Sequence, residues 1–340
     1  MNSLLQDRTY LHNRHRLSHQ QIDRWLRENR AKEFLPEKLK QMEAVKNFLF
    51  VTGLLAKNDI VFTCFKGPLL SFRIYNDPTI RISHDIDLLI EKEMICKTVD
   101  VLTKNDFQMS EEMFWPQKKI QQDLFIKAIH HLSFHSQKLN ICVEIHWVLM
   151  HELPVSPQKV QRIISENKTN IQFSGLTFAV FSPEFEFVYL LIHGARHGWN
   201  RLKWLVDIHD YPVAGLNLQK LEELTNELHV WRIIGQVDIL LTHFFNKRIP
   251  ITKKERVPYF FIRYAYDFIE DDNSQRLLTR EMLKHSRYLW LLFPGIYYKY
   301  HFVSQYLFRL GDLNEINSSY KITYYLYRPF SFIRRRILNV

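Results

Sequence analysis

The stretch FKGPLLSFRIYNDPTIRISHDIDLLI, residues 65–90, decides the fold. It places a Lys-Gly pair after one apolar run and an Asp-x-Asp at the start of the next. The β-branched and aromatic residues of NDIVFTCFKG predict a strand that ends at the Lys-Gly pair, and DIDLLI predicts a second strand. Carboxylates at the edge of a buried strand are costly unless they are partnered, so this pair calls for a chemical reason.

Alternation along the two strands places carboxylates on a shared face. Side chains on a strand point to opposite faces in turn, so Asp85 and Asp87 point one way and the apolar residues between and after them point the other. In ICVEIHWV, residues 141–148, the same rule sets Cys142, Glu144 and His146 opposite the apolar side. If the two strands are neighbours, three carboxylates converge, and their mutual repulsion requires cations.

Such a cluster favours phosphate chemistry. Carboxylate oxygens select Mg²⁺ or Mn²⁺, and two such ions suit an in-line displacement at phosphorus. Gly67 lets the backbone approach a phosphate, Lys66 supplies a positive charge, and the helix that starts at Pro68 offers free NH groups. Arg81, four residues before Asp85, is a candidate to reach a triphosphate oxygen, with a solvated turn arginine as the alternative.

Helical and strand patterns alternate up to about residue 180, and helical periodicity dominates afterwards. The first pattern predicts an α/β or α+β sheet domain. We expect a helical N-terminal extension over residues 1–35, a sheet domain over 36–180 and a helical domain over 181–340. Individual strands are expected at residues 107–110, 131–136 and 140–149.

The bulk composition narrows the class of protein. The 340 residues carry a formal charge of +10 and a pI near 9.3, which favours an anionic partner. No segment reads as a signal peptide or membrane span, and three cysteines without a CxxC pair suit a reducing compartment. A cytoplasmic protein without disulfides is therefore expected.

The motifs resemble the uncharacterised nucleotidyltransferase family. The resemblance is carried by CFKGPLLSFRIYNDPTIRISHDIDLLI, by VEIHWVL and by LLIHGARHGWNRLKWLVDIHD, which together span roughly residues 64–210. Lys-Gly stands where many members of the wider superfamily have Gly-Ser, and Glu144 stands where Asp is more usual. The resemblance implies an α+β, polymerase-β-like mixed sheet with flanking helices, followed by a helical C-terminal domain.

The resemblance also implies roles. Asp85, Asp87 and Glu144 would be the catalytic and metal-binding carboxylates, and Lys66 with Gly67 would hold the triphosphate of an NTP. His193 and His197 would line the nucleotide or acceptor cleft. The implied reaction is Mg²⁺- or Mn²⁺-dependent transfer of a nucleoside monophosphate to an unidentified hydroxyl on RNA, protein, a saccharide or another small molecule.

Several alternatives stay open from the residues. His84-Asp85 could belong to a metal phosphohydrolase, and His193 with His197 could bind zinc, although no HExxH motif is present. A non-catalytic RNA- or nucleotide-binding protein could use the same fold. Asp207, four residues after Lys203, is expected to form a surface ion pair with it. The basic, aromatic C-terminus could bind single-stranded nucleic acid or an anionic membrane surface, or could dock on the core.

Overall fold

The computed structural model describes residues 3–28, 30, 34–111, 113–150, 153–251, 255–270, 279–307, 316, 318 and 320–337. The strands are β1 Phe62–Cys64, β2 Asp85–Ile90, β3 Gln108–Met109, β4 His131–Ser136, β5 Ile141–His146, β6 Lys168–Phe173 and β7 Leu176–Phe181. The helices are α1 Arg8–Asn13, α2 His19–Leu26, α3 Phe34–Lys57, α4 Gly67–Tyr75, α5 Ile95–Lys104, α6 Lys119–Ala128, α7 Pro157–Glu166, α8 Pro183–Arg196, α9 Leu202–Asp210, α10 Leu218–Glu227, α11 Trp231–Phe245, α12 Tyr259–Glu270, α13 Thr279–Leu292, α14 Ile296–Leu307 and α15 Lys321–Ile337.

The strands form one mixed sheet in the order β3-β4-β5-β2-β1-β7-β6. β2 is antiparallel to β1 and parallel to β5, and β7 is parallel to β1. The expected α+β fold, a mixed sheet with flanking helices followed by a helical C-terminal region, is confirmed. The strands expected at 85–90 and 131–136 have these bounds, whereas the one expected at 107–110 is only β3 and the one expected at 140–149 ends at His146. There the backbone NH groups of Trp147 and Val148 turn to the carbonyl of His130.

Two hydrophobic clusters lie on opposite sides of the sheet. One holds Ile86, Leu88 and Ile90 of β2 with buried residues of α3, α5 and α6. The other holds Leu89 of β2 and Phe65 together with the buried faces of α8 to α14. Helices α8 and α7 begin with Ser-Pro, in which the serine hydroxyl caps the helix and proline fits its first turn.

Both chain ends pack on this body. Leu11, Leu17 and Ile22 of the N-terminal segment are fully buried in the helical cluster, and the backbone NH of Leu202 donates to His15 Nδ1 at 2.9 Å. In α15, Tyr324 is buried in the sheet-side cluster, and its hydroxyl accepts from Gln121 Nε2 at 3.0 Å. Docking of the C-terminus on the core is thus observed, and the division into three sequence segments stays a prediction.

Among the described residues, no helix combines the length and apolar character needed to cross a bilayer. Cys64, Cys96 and Cys142 are free thiols.

Candidate functional site

Strand β2 presents carboxylates on the face that looks toward the helical region. Leu89, which shares the parity of Asp85 and Asp87, lies in the helical cluster, whereas Ile86 and Leu88 lie in the opposite one. Asp87 is buried, and Asp85 is exposed at the N-terminal end of β2. The predicted alternation along DIDLLI is confirmed.

Parallel pairing of β2 with β5 brings the third carboxylate into place. Asp87 is directly opposite Glu144 in the register, Asp85 is opposite Cys142, and Leu89 is opposite His146. Paired residues of neighbouring strands share a face, so Asp87 and Glu144 point to the same side of the sheet. The structure therefore brings these two predicted residues together.

His146 completes the cluster, and sequence reasoning did not select it. Its Nε2 lies 3.0 Å from Asp87 Oδ1 and 3.3 Å from Glu144 Oε2. Ligand-capable atoms of Asp87, Glu144 and His146 all lie within 4.8 Å of one another. Burial lowers the pKa of His146, but its hydrogen bonds to Asp87 and Glu144 outweigh burial, so the pKa is raised. The available signal was the alternation of ICVEIHWV, which already set His146 on the Glu144 face.

Asp85 lies at the rim of this cluster. The surrounding protein partly desolvates its carboxyl and the charge of Asp87 repels it, so its pKa is raised. Repulsion from Glu144 adds to this effect, and Lys66 opposes it. The charges of Asp87 and Glu144 thus both act on Asp85, which is the kind of repulsion that the sequence predicts for a cation-binding cluster.

The Lys-Gly pair forms a sharp corner between β1 and α4. Lys66 and Gly67 have φ values of +62° and +57°, so two successive residues adopt a positive φ where the chain turns into the helix. A Cβ on Gly67 would come no closer than 3.8 Å to Ser83 Oγ. Glycine is therefore favoured here by its positive φ rather than by crowding.

Lys66 neutralises Asp87 at this corner. Its Nζ lies 3.6 Å from Asp87 Oδ2 and 5.7 Å from the ring centre of Tyr189. Burial lowers the pKa of Lys66, but the charge of Asp87 outweighs burial and raises it. Burial acts to raise the pKa of Asp87, and Lys66 and the hydrogen bond from His146 overcome that and hold it well below its usual range.

Further cations gather at the Asp85 end of the cluster. Lys203 of α9 reaches the carbonyl of Ile82 at 3.4 Å, and burial together with Arg81 lowers its pKa to about 7. Burial, Lys203 and Arg16 likewise lower the pKa of His84 to about 4. A cavity of about 260 Å³ opens here, and its lining includes Lys40, Pro68, Ser83, His84 and Asp85.

His193, near the end of α8, and His197, just after it, form part of a row of aromatic rings that continues to α9. The His193 ring lies 5.8 Å from that of Tyr189 and 4.6 Å from that of His197, and the His197 ring stacks on Trp204 at 4.8 Å. Burial and the nearby charge of Lys66 lower both pKa values, that of His197 to about 3. Two neutral imidazoles therefore lie beside the Lys66 corner.

Arg81 is buried and engaged. Its Nε lies 2.9 Å and 3.1 Å from the two carboxylate oxygens of Asp207 on α9. The expectation that Asp207 forms a surface pair with Lys203 is wrong, because the Asp207 side chain is only 1% exposed and pairs with Arg81 instead. The i,i+4 spacing suggested a local pair, but the fold brings Arg81 closer. A role for Arg81 in contacting a triphosphate stays a prediction.

A second group of metal-capable side chains lies in the N-terminal region. Among the described residues, His12, His19 and Glu37 are the one other set with ligand atoms within 4.8 Å of one another. His193 and His197 belong to neither set. The geometry of the described residues therefore favours the carboxylate face over the α8 histidine pair as a metal site.

The mixed sheet with carboxylates clustered on one face agrees with the nucleotidyltransferase fold that the resemblance implies. The chain belongs to the family described as uncharacterised nucleotidyltransferases, whose sequence profile matches residues 9–246, more than two thirds of the chain. This membership confirms the resemblance and supports a general nucleotidyltransferase role. No curated protein matches the sequence.

Two solved structures are similar to parts of the chain. One is a Thermotoga maritima protein provisionally described as a nucleotidyltransferase, with 16% identity and a TM-score of 0.31 over 49% of this chain and 95% of that one. The other is an antigenic nucleotidyltransferase-like protein from Paracoccidioides brasiliensis, with 16% identity and a TM-score of 0.34 over 62% of this chain and 94% of that one. At these TM-scores neither likeness carries weight for function.

Proposed function

We propose that the protein is a Mg²⁺-dependent nucleotidyltransferase, with Mn²⁺ as an alternative ion, that moves a nucleoside monophosphate from an NTP to an acceptor hydroxyl. The observation that carries the proposal is the register of β2 and β5, which sets Asp87 opposite Glu144 with Asp85 two residues earlier on the same face. Lys66 and Gly67 stand at the corner next to these carboxylates. A purely binding protein would have no use for so repulsive a cluster.

The donor set fits a divalent cation. Asp85, Asp87 and Glu144 offer hard carboxylate oxygens, and Asp87 is buried with a charge that Lys66 and His146 offset in this structure. These three carboxylates would hold the metal ions, and His146 would orient Asp87 and Glu144. When bound, the ions would stabilise the negative charge that develops on the attacking and leaving oxygens.

The remaining residues would bind and orient the nucleotide. Lys66, the backbone NH groups at the start of α4 and the cations around His84 would hold the triphosphate. The neutral rings of His193 and His197 would line the nucleotide side of the cleft. Arg81 would act by holding α9, and with it Lys203, against the Asp85 end of β2.

The chemical step balances with these groups. The acceptor oxygen forms a bond to the α-phosphorus, the bond from that phosphorus to the bridging oxygen breaks, and pyrophosphate leaves with its charge. Glu144 would accept the proton of the acceptor hydroxyl, a role supported by its partly buried carboxylate on the Asp87 face of the sheet. Catalysis would then be positioning plus charge neutralisation.

The test is transfer of label from each α-³²P-labelled NTP to the RNA, protein and small-molecule fractions of a host lysate in the presence of Mg²⁺. The Asp85→Asn, Asp87→Asn double variant should abolish labelling. The matched control is Asp59→Asn, Asp100→Asn, which changes two exposed aspartates and should label as the wild type does.

Two other outcomes correspond to other functions. Release of nucleoside mono- or diphosphate without a labelled acceptor would indicate a phosphohydrolase. Absence of both labelling and Mg²⁺-dependent NTP binding, alongside RNA affinity that falls steeply with salt and survives chelation, would indicate a non-catalytic RNA-binding protein.

A further inference from the structure

A second, much larger cavity opens at the opposite end of the carboxylate strand. It measures about 1180 Å³ and is bounded by the beginning of β1, the end of β2, the segment after β5, α7, and the α14 and α15 helices. Ligand pockets for drug-sized molecules usually measure roughly 300–1,000 Å³, so this one could hold a substantial ligand. Nothing in the proposed handling of the NTP uses it.

The cavity lies next to the carboxylates. Leu89, which lines it, is two residues beyond Asp87 on the same face of β2, or roughly 7 Å along the strand. Trp147, which also lines it, directly follows His146. The Lys66–Gly67 corner lies at the Asp85 end of β2, whereas the large cavity lies at the Leu89 end.

The chemistry of the cavity wall is amphipathic. Its interior is mainly aliphatic, with Leu149, Met150, Leu153, Val155 and Ile164 all buried. Its rim carries five cations against two carboxylates, Glu91 and Glu93. Three of the cations, Lys92, Lys127 and Lys168, are exposed and have no ion-pair partner within the described part of the chain.

This wall fits an alkyl group better than a nucleobase. Base binding relies on accessible aromatic faces. Trp147 is 4% exposed and its Nε1 donates to the carbonyl of Ile126 at 2.9 Å. Its indole is thus fixed in the wall. The more exposed Tyr297 packs edge-on against His301 with ring centres 4.4 Å apart, whereas the buried part of the wall is aliphatic. The aliphatic interior would bury an apolar body, and the lysine rim would hold an anionic group.

We infer that this cavity is the acceptor site and that the acceptor is an anionic amphiphile, an apolar body bearing a phosphate or carboxylate group and a hydroxyl. The inference rests on the proposed nucleotidyl transfer. The molecule whose hydroxyl attacks the nucleotide would then bind at the Leu89 end of β2. The free amphiphile and a lipid surface share this chemistry.

The outer side of α15 carries exposed apolar residues, which favour a lipid surface as the source of the amphiphile. Ile322, Leu326, Phe330 and Ile333 are 61%, 70%, 59% and 49% exposed, and their spacing sets them on one side of the helix. Arg328 of the same helix lines the cavity. From residue 321 to 340 the sequence has five basic residues and no acidic ones, a composition typical of helices that lie on anionic membranes.

Binding can be tested without nucleotide or metal. Octyl phosphate, titrated calorimetrically below its micellar concentration, should bind at one site, 1-octanol at least tenfold more weakly, and inorganic phosphate not measurably. Lys92→Glu, Lys127→Glu, Lys168→Glu should weaken octyl phosphate binding at least tenfold. The control Lys97→Glu, Lys104→Glu, Lys138→Glu makes the same charge change at exposed lysines away from the cavity and should stay within twofold.

The apolar part has its own variant. Val61 is 65% exposed at the cavity rim, so Val61→Trp should obstruct the opening without disturbing the core and should weaken binding about fivefold. Leu176→Trp, at the exposed beginning of β7, is the control. No octyl phosphate binding, equal losses in the two triple variants, equal binding of inorganic phosphate, or displacement of octyl phosphate by an octauridylate would overturn the inference.

Two further experiments test the cavity separately from nucleotidyl transfer and distinguish a free amphiphile from a lipid surface. Asp87→Asn should keep octyl phosphate binding, so a failure of nucleotidyl transfer and a failure of the cavity assignment are distinguishable. Flotation with phosphatidylglycerol vesicles, with and without Leu326→Asp, Phe330→Asp, separates the sources. Binding that the double variant abolishes indicates a lipid surface, and no vesicle binding indicates a free amphiphile.

Discussion

Arg81 and Asp207 are joined by a buried ion pair across 126 residues of sequence, with the Arg81 Nε 2.9 Å from Asp207 Oδ1 and 3.1 Å from Oδ2. Arg81 lies in the segment just before β2, and Asp207 lies in α9. The contact therefore fixes the helical region against the strand that carries the carboxylates.

Removing one partner should be costly. Asp207→Asn leaves the Arg81 charge buried without its counterion, so the free energy of unfolding should fall by about 3 kcal/mol in urea denaturation. The control is Asp267→Asn, which breaks the exposed Arg263–Asp267 pair and should leave the free energy of unfolding nearly unchanged. Equal losses in the two variants would show that the buried pair does not hold the regions together.

His146 should tune the metal site. Its Nε2 contacts both Asp87 and Glu144, so His146→Gln should weaken Mn²⁺ binding roughly 10- to 100-fold by releasing the two carboxylates from their orientation. Free Mn²⁺ can be followed by electron paramagnetic resonance. His135→Gln, an exposed change on neighbouring β4, should bind as the wild type does. Unchanged Mn²⁺ affinity in His146→Gln would remove His146 from the site.

Gly67 should matter to nucleotide binding through its backbone conformation. Gly67→Ala has space for the new methyl group but must hold a φ of +57°, which should cost about 1 kcal/mol of stability. Gly175→Ala imposes the same kind of strain, at φ +76° in open space, and should cost a similar amount. Only Gly67→Ala should also weaken calorimetric NTP binding. Equal NTP affinity in both variants would exclude the corner from triphosphate binding.

The sequence predicted those features of the site that depend on a local pattern along one strand. The alternation in DIDLLI predicted both faces of β2, and the alternation in ICVEIHWV placed Glu144 on the corresponding face of β5. His146 carried the same signal, but a histidine on a strand face has many roles, and only its 3.0 Å contact with Asp87 selects one. The Arg81–Asp207 pair could not be found because no local spacing relates residues so far apart.

Other features depend wholly on tertiary packing. The large cavity is lined by segments from residue 61 to residue 328, so no stretch of sequence contains it. Helix α15 packs Tyr324 into the core but exposes Ile322, Leu326, Phe330 and Ile333 on its outer side. The composition of this segment could not show which of its residues face the core and which face solvent.

Gly194 in HGARHGW should prove structural. A Cβ there would overlap the ring of Trp199, which is fully buried with its Nε1 donating to Gln236 Oε1 at 3.0 Å. Gly194→Ala should therefore destabilise by about 2 kcal/mol, although alanine favours helices. Gly53→Ala in α3 meets nothing within 4 Å and should stabilise by about 0.5–1 kcal/mol. Thermal and urea unfolding would measure both, and stabilisation by Gly194→Ala would contradict the packing.

Stability should fall in acid partly through His15. It is fully buried, its Nδ1 accepts from the backbone NH of Leu202, and burial together with Arg14 and Arg201 lowers its pKa from 6.5 to about 3. Between these two values the unfolded chain binds the proton and the folded chain does not. The contribution of His15 is therefore complete above pH 6.5 and is lost progressively as the pH falls toward 3, by at most about 1.4 kcal/mol per pH unit.

His15→Asn keeps an acceptor for the Leu202 NH but cannot titrate. In urea denaturation between pH 7 and 4, the free energy of unfolding should therefore fall less steeply with decreasing pH than in the wild type. The difference in slope should be at most that of one bound proton, about 1.4 kcal/mol per pH unit. His229→Asn, at an exposed position, should keep the wild-type pH dependence. The same slope in His15→Asn and wild type would mean that His15 is protonated in the folded chain, which would require the contact between the N-terminal segment and Leu202 to open in acid.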